Sequence, residues 1–197
     1  MKKKIISIFK KLAKSFLFFI RYHTRHLREK PTFFIVGAQK AGTTSLFNYV
    51  RMHPRIKGSQ PKEVHYFDGG LNPGNDNYLK GDNWYKAHFP LISKSVDHIG
   101  EASPSYLYCN KVAARIHSYS SNAKIIIILR TPEERAISHF LHSRRKGFEK
   151  RDMLTAFTEE KDMLLSGRSF TLGTHEYFNH SYLSRGLYAF QIQKYTE

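Results

Sequence analysis

Cysteine is almost missing from this chain: Cys109 is the only one in 197 residues. One thiol cannot close an internal disulfide, so no disulfide framework holds the fold, and no cysteine-rich zinc site can be built. Acidic residues are also scarce. There are 16 Asp and Glu against 32 Lys and Arg, for a formal charge of +16 and a sequence pI near 9.9. That imbalance points to anionic partners, such as a phosphorylated nucleotide, an acidic glycan or anionic lipid. Long apolar runs are lacking at the N-terminus. Within residues 2–28 the longest uncharged run is Ser15 to Ile20, far short of the roughly 20 residues of a membrane-crossing helix. No small-residue cleavage site follows it, so the segment does not read as a signal peptide. Nucleic-acid motifs are missing too. The basic residues are not interleaved with aromatics along one element, so nucleic acid is not an expected partner.

What is present suits one α/β domain of ordinary size. Hydrophobic residues make up 41% of the chain, enough to bury a core. The charge is uneven. Residues 1–30 hold ten Lys and Arg and one acid, Glu29, so more than half of the net charge lies there. In that stretch Ile5, Ile8, Phe9, Leu12, Phe16 and Phe19 recur at helical spacing, with Lys3, Lys10 and Lys14 on another side. A basic amphipathic helix lying on an anionic membrane surface is expected from residues 1–28. A helix packed on the domain, or a frayed tail, remains the alternative. The organisation read from this is a basic amphipathic tail over 1–30 and a domain over 31–197. The expected location is cytoplasmic, with peripheral contact at the inner membrane surface.

Along the domain, short apolar runs alternate with helical patterns. Strands are expected at 33–36, over an extended region within 56–67 that ends in Val64-His65-Tyr66-Phe67, at 98–101 and at 124–130. Helices are expected at 43–53, 111–117, 132–147, 151–165 and 181–196, with a short one around Trp84, Tyr85 and Phe89. Thr131-Pro132-Glu133-Glu134 reads as a capping box with proline at the first helical position. The alternation implies a doubly wound, mainly parallel sheet flanked by helices, of the P-loop type.

The segment from Phe33 to Val50 carries the clearest chemistry. Strand, glycine-bounded loop and helix follow in order, with Gly37 and Gly42 in a Walker-like spacing. Backbone N–H groups at such a helix N-terminus favour a phosphate or sulfate. A Walker loop has lysine directly after its second glycine. Here that place is Thr43, and the lysine is inside the loop at Lys40. The strand IIIILR also ends in Arg130, where a Mg²⁺-binding aspartate would be expected in a nucleoside triphosphate enzyme. The loop therefore reads as a phosphate or sulfate cradle that works without metal.

Three blocks together resemble the sulfotransferases that use 3′-phosphoadenosine 5′-phosphosulfate (PAPS), most closely the heparan-sulfate branch and its bacterial relatives. GAQKAGTTS (37–45) is similar to the 5′-phosphosulfate loop of that family. KEVHYFD (62–68) is similar to the segment bearing the catalytic base in glucosaminyl 3-O-sulfotransferases. LRTPEERAISHF (129–140) is similar to the strand and helix that bind the 3′-phosphate. The resemblance runs from about Thr32 to Glu197. It implies donor contacts from Gly37, Lys40, Ala41, Gly42, Thr43, Thr44 and Ser45 at the 5′ end, and from Arg130 and Ser138 at the 3′-phosphate. It implies Glu63 as general base, Lys40 at the transferring sulfuryl group, and His65 and Asp68 ordering the acceptor side. Glu63 and His65 alternate on the strand expected there, so both point to one face.

The implied reaction is sulfuryl transfer from PAPS, with no metal, to a hydroxyl or amine of an acceptor, expected to be a glycan. Two departures stand out. Some glycosaminoglycan enzymes have lysine after the glutamate of the block GEASPSYLY (100–108), and here Ala102 occupies that place. The helix expected at 181–197 resembles one that leads into a further core strand, so the chain reads as incomplete at its C-terminus. That makes an inactive, truncated paralogue acting as a binding or membrane-associated protein the alternative reading. A nucleotide kinase, or a basic nucleic-acid binder, are the other classes weighed.

Overall fold

The computed structural model describes residues 2–196 except 73 and 75. Strands β1 (Phe33–Gly37), β2 (Ile56–Gly58), β3 (His98–Ala102) and β4 (Lys124–Ile127) form one parallel sheet of order β2-β3-β1-β4. The helices are α1 (Lys2–His23), α2 (Thr43–Val50), α3 (Gly81–Lys86), α4 (Val112–Tyr119), α5 (Pro132–Arg145), α6 (Met153–Leu165), α7 (His175–Asn179) and α8 (Tyr188–Gln193).

The central strand β1 is buried along its whole length, as its unbroken apolar run requires in a sheet covered on both faces. Its side chains alternate between two cores. Phe34 and Val36 enter a cluster with Val64, Phe67, Ile99 and Tyr106. Phe33 and Ile35 meet Phe47 of α2 and Ala102 of β3 on the other face. Each fully buried side chain of this size contributes about 1.5–3 kcal/mol by leaving water. A third cluster, Ala136, Phe140, Ala156 and Tyr182, joins α5 and α6 to the C-terminal segment.

Three expectations need correction. The segment 62–68 is not a strand. Regular pairing ends at Gly58, and the chain then runs irregularly, with His65 in the left-handed region at φ 52°. Side chains take over the hydrogen bonds that a neighbouring strand would have made, as described below. The expected helix at 181–196 is instead a 3₁₀ turn over Ser184–Gly186 followed by the short α8. There Glu160 of α6 accepts the backbone N–H groups of Tyr182, Leu183 and Ser184 at 2.6, 2.8 and 3.0 Å, which satisfies an irregular path. The capping box at Thr131 does not form. Thr131 makes no side-chain cap, and Glu134 reaches Arg130 Nε at 2.9 Å.

Among the described residues, helix α1 is anchored near its C-terminal end. Arg21 donates to the carbonyls of Ala87 (2.6 Å) and Phe89 (3.0 Å), and Phe18 lies against Trp84 and His88. Phe9, Leu12, Phe16 and Phe19 remain exposed.

Candidate functional site

The carboxyl ends of all four strands converge on one region, where open parallel sheets bind ligands. β1 leads into the loop 38–42, β4 into Arg130, β3 into Ser103 and Ser105, and β2 into the segment holding Glu63, His65 and Asp68.

At the loop, two glycines have distinct roles. Gly42 sits at φ 98°, a conformation that side-chain-bearing residues adopt at a cost, directly before α2. Gly37 lies so close to β3's following turn that an added Cβ would stand 2.6 Å from Leu107 Cβ. The result is a tight loop that leads into α2 at Thr43, Thr44 and Ser45, whose backbone N–H groups belong to the first turn and have no partner within the helix. Thr43 is buried, while Thr44 and Ser45 are exposed. Lys40 is also held in the left-handed region, at φ 71°. Ala41 donates its N–H to the Ala38 carbonyl at 3.1 Å, closing the turn.

Lys40, Arg130 and Ser138 line one cleft of about 410 Å³, together with Glu134, Ile137, Leu141, His142 and Arg145. Of the residues expected to contact a donor, Lys40, Arg130 and Ser138 are thus brought into one cleft, while Gly37 and residues 41–45 do not line it. Burial, and then the charges of Arg145 and Arg130, lower the Lys40 ammonium from its ordinary value. Cations that repel one another in a shared cleft are set up for a multiply charged anion. Arg130 Nε holds Glu134, but at the surface, where such a pair is worth little. The terminal guanidinium nitrogens remain suited to a phosphate fork.

Two cleft residues were not picked out from the sequence. His142 and Arg145 stand four and seven residues after Ser138, on the same face of α5. That spacing was the available signal. Burial and the charges of Lys40, Arg145 and Lys146 lower His142, while Glu63 works in the opposite direction. His142 therefore lies within electrostatic reach of both Lys40 and Glu63.

Glu63, His65 and Asp68 form a second cluster although they share no strand. Lys62 Nζ is 2.6 Å from Glu63 Oε1. His65 Nε2 is 3.4 Å from Glu63 Oε2. At that distance the contact is charge with charge, and Nε2 makes no formed hydrogen bond among the described residues. On its other side, His65 Nδ1 is 2.8 Å from Asp68 Oδ2. Asp68 also accepts from Ser105 Oγ and, at 3.1 Å, from the Gly70 N–H. Burial pushes the Glu63 carboxyl up, but His65 and Lys62 together outweigh it and hold it at about 2. Burial pushes His65 down, but the Asp68 bond and then Glu63 outweigh that and raise it to about 9. Burial likewise raises Asp68, and His65 and Ser105 turn the balance downward. The resting state is a cationic imidazole between two carboxylates.

Ala102, which stands where some glycosaminoglycan enzymes have lysine, is fully buried among Phe33, Ile35 and Phe47. Among the described residues, no group of three or more His, Cys, Asp or Glu is placed to hold a metal ion.

A parallel sheet with a glycine-turned anion loop at β1 and an arginine at the end of β4 defines an α/β domain of the phosphate-loop class. Within that class the family is shown. Residues 30–197 match the sulfotransferase domain model, and the chain belongs to that family. It is 32% identical to a crystallised sulfotransferase from Alicyclobacillus acidocaldarius, with a TM-score of 0.67, covering 85% of this chain and 68% of that one. It is 37% identical over 112 residues to a membrane-associated sulfotransferase of Dictyostelium discoideum, covering 56% of this chain and 22% of that protein. It is 36% identical over 115 residues to the mouse heparan sulfate glucosamine 3-O-sulfotransferase 5, covering 58% and 31%. A mouse bifunctional heparan sulfate N-deacetylase/N-sulfotransferase is 38% identical over 120 residues, covering 58% and 13%. The chain thus spans less than a third of the length of these curated relatives.

Proposed function

We propose that this chain transfers a sulfuryl group from PAPS to a hydroxyl or amine of a glycan, with Glu63 as the general base. The observation that carries the reading is the pairing of two sites: a cationic cleft lined by Lys40, Arg130 and Ser138, and a base cluster of Glu63, His65 and Asp68. The relatives named for heparan sulfate sulfation favour a glycan acceptor.

The residues fit the donor. The N–H groups and hydroxyls of Thr43, Thr44 and Ser45 would hold its 5′-phosphate, with Gly37, Ala41 and Gly42 shaping the loop. Arg130 and Ser138 would hold the 3′-phosphate. PAPS supplies a sulfuryl group on a phosphate leaving group. Glu63 takes the proton of the acceptor oxygen as that oxygen forms its bond to sulfur. The bond from sulfur to the 5′-phosphate oxygen breaks, and adenosine 3′,5′-bisphosphate departs with the electron pair. Lys40 and the loop N–H groups stabilise the charge gathering on that bridging oxygen. His65 and Asp68 hold Glu63 in place. Glu63→Gln should cut turnover by about 10²–10⁴-fold and leave donor affinity within twofold. Retained turnover would remove Glu63 from this role.

The same reading takes residues 1–28 as a peripheral membrane contact and 31–197 as the catalytic domain. Phe9, Leu12, Phe16 and Phe19 are exposed, and Phe18 and Arg21 attach α1 from a different side. The apolar stripe thus faces away from the domain, while Lys10 and Lys14 lie on another side of the helix. Anionic lipid is enriched in the cytoplasmic leaflet, which suits a basic helix there. The membrane-associated relative agrees with such a contact. Among the described residues no helix is long and apolar enough to cross a membrane. Flotation with phosphatidylserine vesicles should be lost in Phe9→Glu/Phe16→Glu. Unchanged flotation would refute the contact.

A further inference from the structure

Glu101 sits at the end of β3 and is wholly buried. Three hydroxyls donate to its carboxylate: Ser103 at 2.6 Å and Tyr106 at 2.8 Å to Oε1, and Tyr85 to Oε2. A hydroxyl has a single proton to give. Because Ser103 and Tyr106 spend theirs on Glu101, their oxygens are left to accept. Among the described residues, the backbone N–H groups they accept all come from one place. Ser103 Oγ takes that of His65 at 3.2 Å. The Tyr106 oxygen takes those of Tyr66 at 3.0 Å and Phe67 at 3.3 Å. These three N–H groups belong to the irregular segment that carries the base cluster. Their own carbonyl side is also fixed, with Asn77 Nδ2 donating to the His65 carbonyl at 3.0 Å and Arg115 to that of Phe67 at 2.6 Å.

We infer that Ser103 and Tyr106, their protons drawn to Glu101, are positioning residues for the base cluster, fixing the backbone of 65–67 and so the place of the His65 ring. The inference rests on the proposed roles of Glu63 and His65. The physical logic is one of proton direction. Glu101 Oε1 accepts from both hydroxyls and so turns both of their protons toward it. An apolar residue at 101 would free those protons, and each hydroxyl would then compete with the N–H groups it now accepts. The segment 62–68 has no strand neighbour to fall back on, and His65 occupies a left-handed conformation that its surroundings must enforce. Tyr66 itself stacks on Tyr85 at 4.3 Å, so the third hydroxyl is tied to the same segment by its ring. Burial pushes the Glu101 carboxyl up, against the pull of Ser103, Tyr85 and Tyr106.

The test is an NMR titration of the His65 imidazole in the full chain, run beside turnover and donor affinity. Ser103→Ala removes one oxygen and one accepted N–H. Tyr106→Phe removes another oxygen and two. Both should lower the His65 pKa by about one unit or more from its raised value, since the ring leaves the register with Asp68 and Glu63. Both should lower kcat roughly 10- to 100-fold, as small misplacements of reacting groups do, with the affinity for adenosine 3′,5′-bisphosphate unchanged. Ser103→Thr keeps the hydroxyl and should restore both readouts. Ser143→Ala loses an equally buried hydroxyl bond, to Asn179, and should leave His65 as it was. If Tyr106→Phe does not fold, Ser103→Ala decides alone. A His65 titration that is unmoved in Ser103→Ala would overturn the inference, whether or not the protein transfers sulfate. A shifted titration in a protein without sulfuryl transfer would sustain the positioning role and count against the proposed reaction instead.

Discussion

His65 and Asp68 share a contact of 2.8 Å in which the carboxylate side chain is 1% exposed and the imidazole 11%. Such a pair cannot be screened by solvent, and it sets the charge of the ring next to Glu63. The pH behaviour follows from it.

His65 is raised to about 9 and Glu63 is lowered to about 2. Turnover should therefore show no acidic limb from Glu63 between pH 5 and 8. It should fall on the alkaline side as His65 loses its proton near 9. In Asp68→Asn the alkaline limb should move to lower pH, because the partner that favours the cation has gone. A pH profile of kcat/KM in the two proteins checks both statements. An alkaline limb unmoved by Asp68→Asn would detach it from His65.

Stability should carry the same sign. The folded pKa of His65 lies above its unfolded value near 6.5, so its contribution is complete below 6.5 and fades as pH rises through about 9. His88 behaves in the opposite way. Burial lowers it to about 4, so the fold prefers the neutral ring, and the stability tied to it is lost as pH falls from 6.5 toward 4. Thermal melts across that acid window, with His88→Phe as the comparison, should show a shallower loss in the variant.

Arg130→Lys is not a conservative change at this site. A planar fork is replaced by a point charge that cannot meet a phosphate with two bonds. Affinity for adenosine 3′,5′-bisphosphate should drop about tenfold or more, which corresponds to losing one charge-assisted hydrogen bond. Calorimetry measures it. An unchanged dissociation constant would place the 3′-phosphate elsewhere.

Gly42→Ala tests the loop. At φ 98° a Cβ is strained whatever space surrounds it, and here the space is open, with Ile128 the nearest neighbour at 3.9 Å. The strain should cost about 1–2 kcal/mol. It should weaken donor binding while leaving the melting of the distant α6 region little changed by hydrogen exchange. Equal donor affinity in the variant would mean that the loop geometry is not used.

The meeting of Lys40, Arg130 and Ser138 in one cleft was legible in the sequence because it depends on local rules. A run such as FFIV can only be a buried strand beside a glycine loop, and Lys40, Thr43 and Arg130 lie at fixed offsets from strand ends. The cluster of Glu63, His65 and Asp68 was legible in identity and not in form. Glu63 and His65 meet as expected, but not through strand alternation. The deciding contacts come from Ser103 and Tyr106, about forty residues away, and local spacing carries no trace of them. The C-terminal segment misled for a similar reason. Its apolar spacing suggests a long helix, whereas Glu160 captures three of its N–H groups and holds it irregular. His142 and Arg145 could have been found from their spacing to Ser138.

The most direct measurement is calorimetric binding of adenosine 3′,5′-bisphosphate to the full chain in a chelating buffer, with ATP as the comparison and Lys40→Ala as the control. The account predicts clear metal-free binding, at least tenfold tighter than ATP, and weakened by loss of Lys40. Binding that requires Mg²⁺, or that favours ATP, would contradict it.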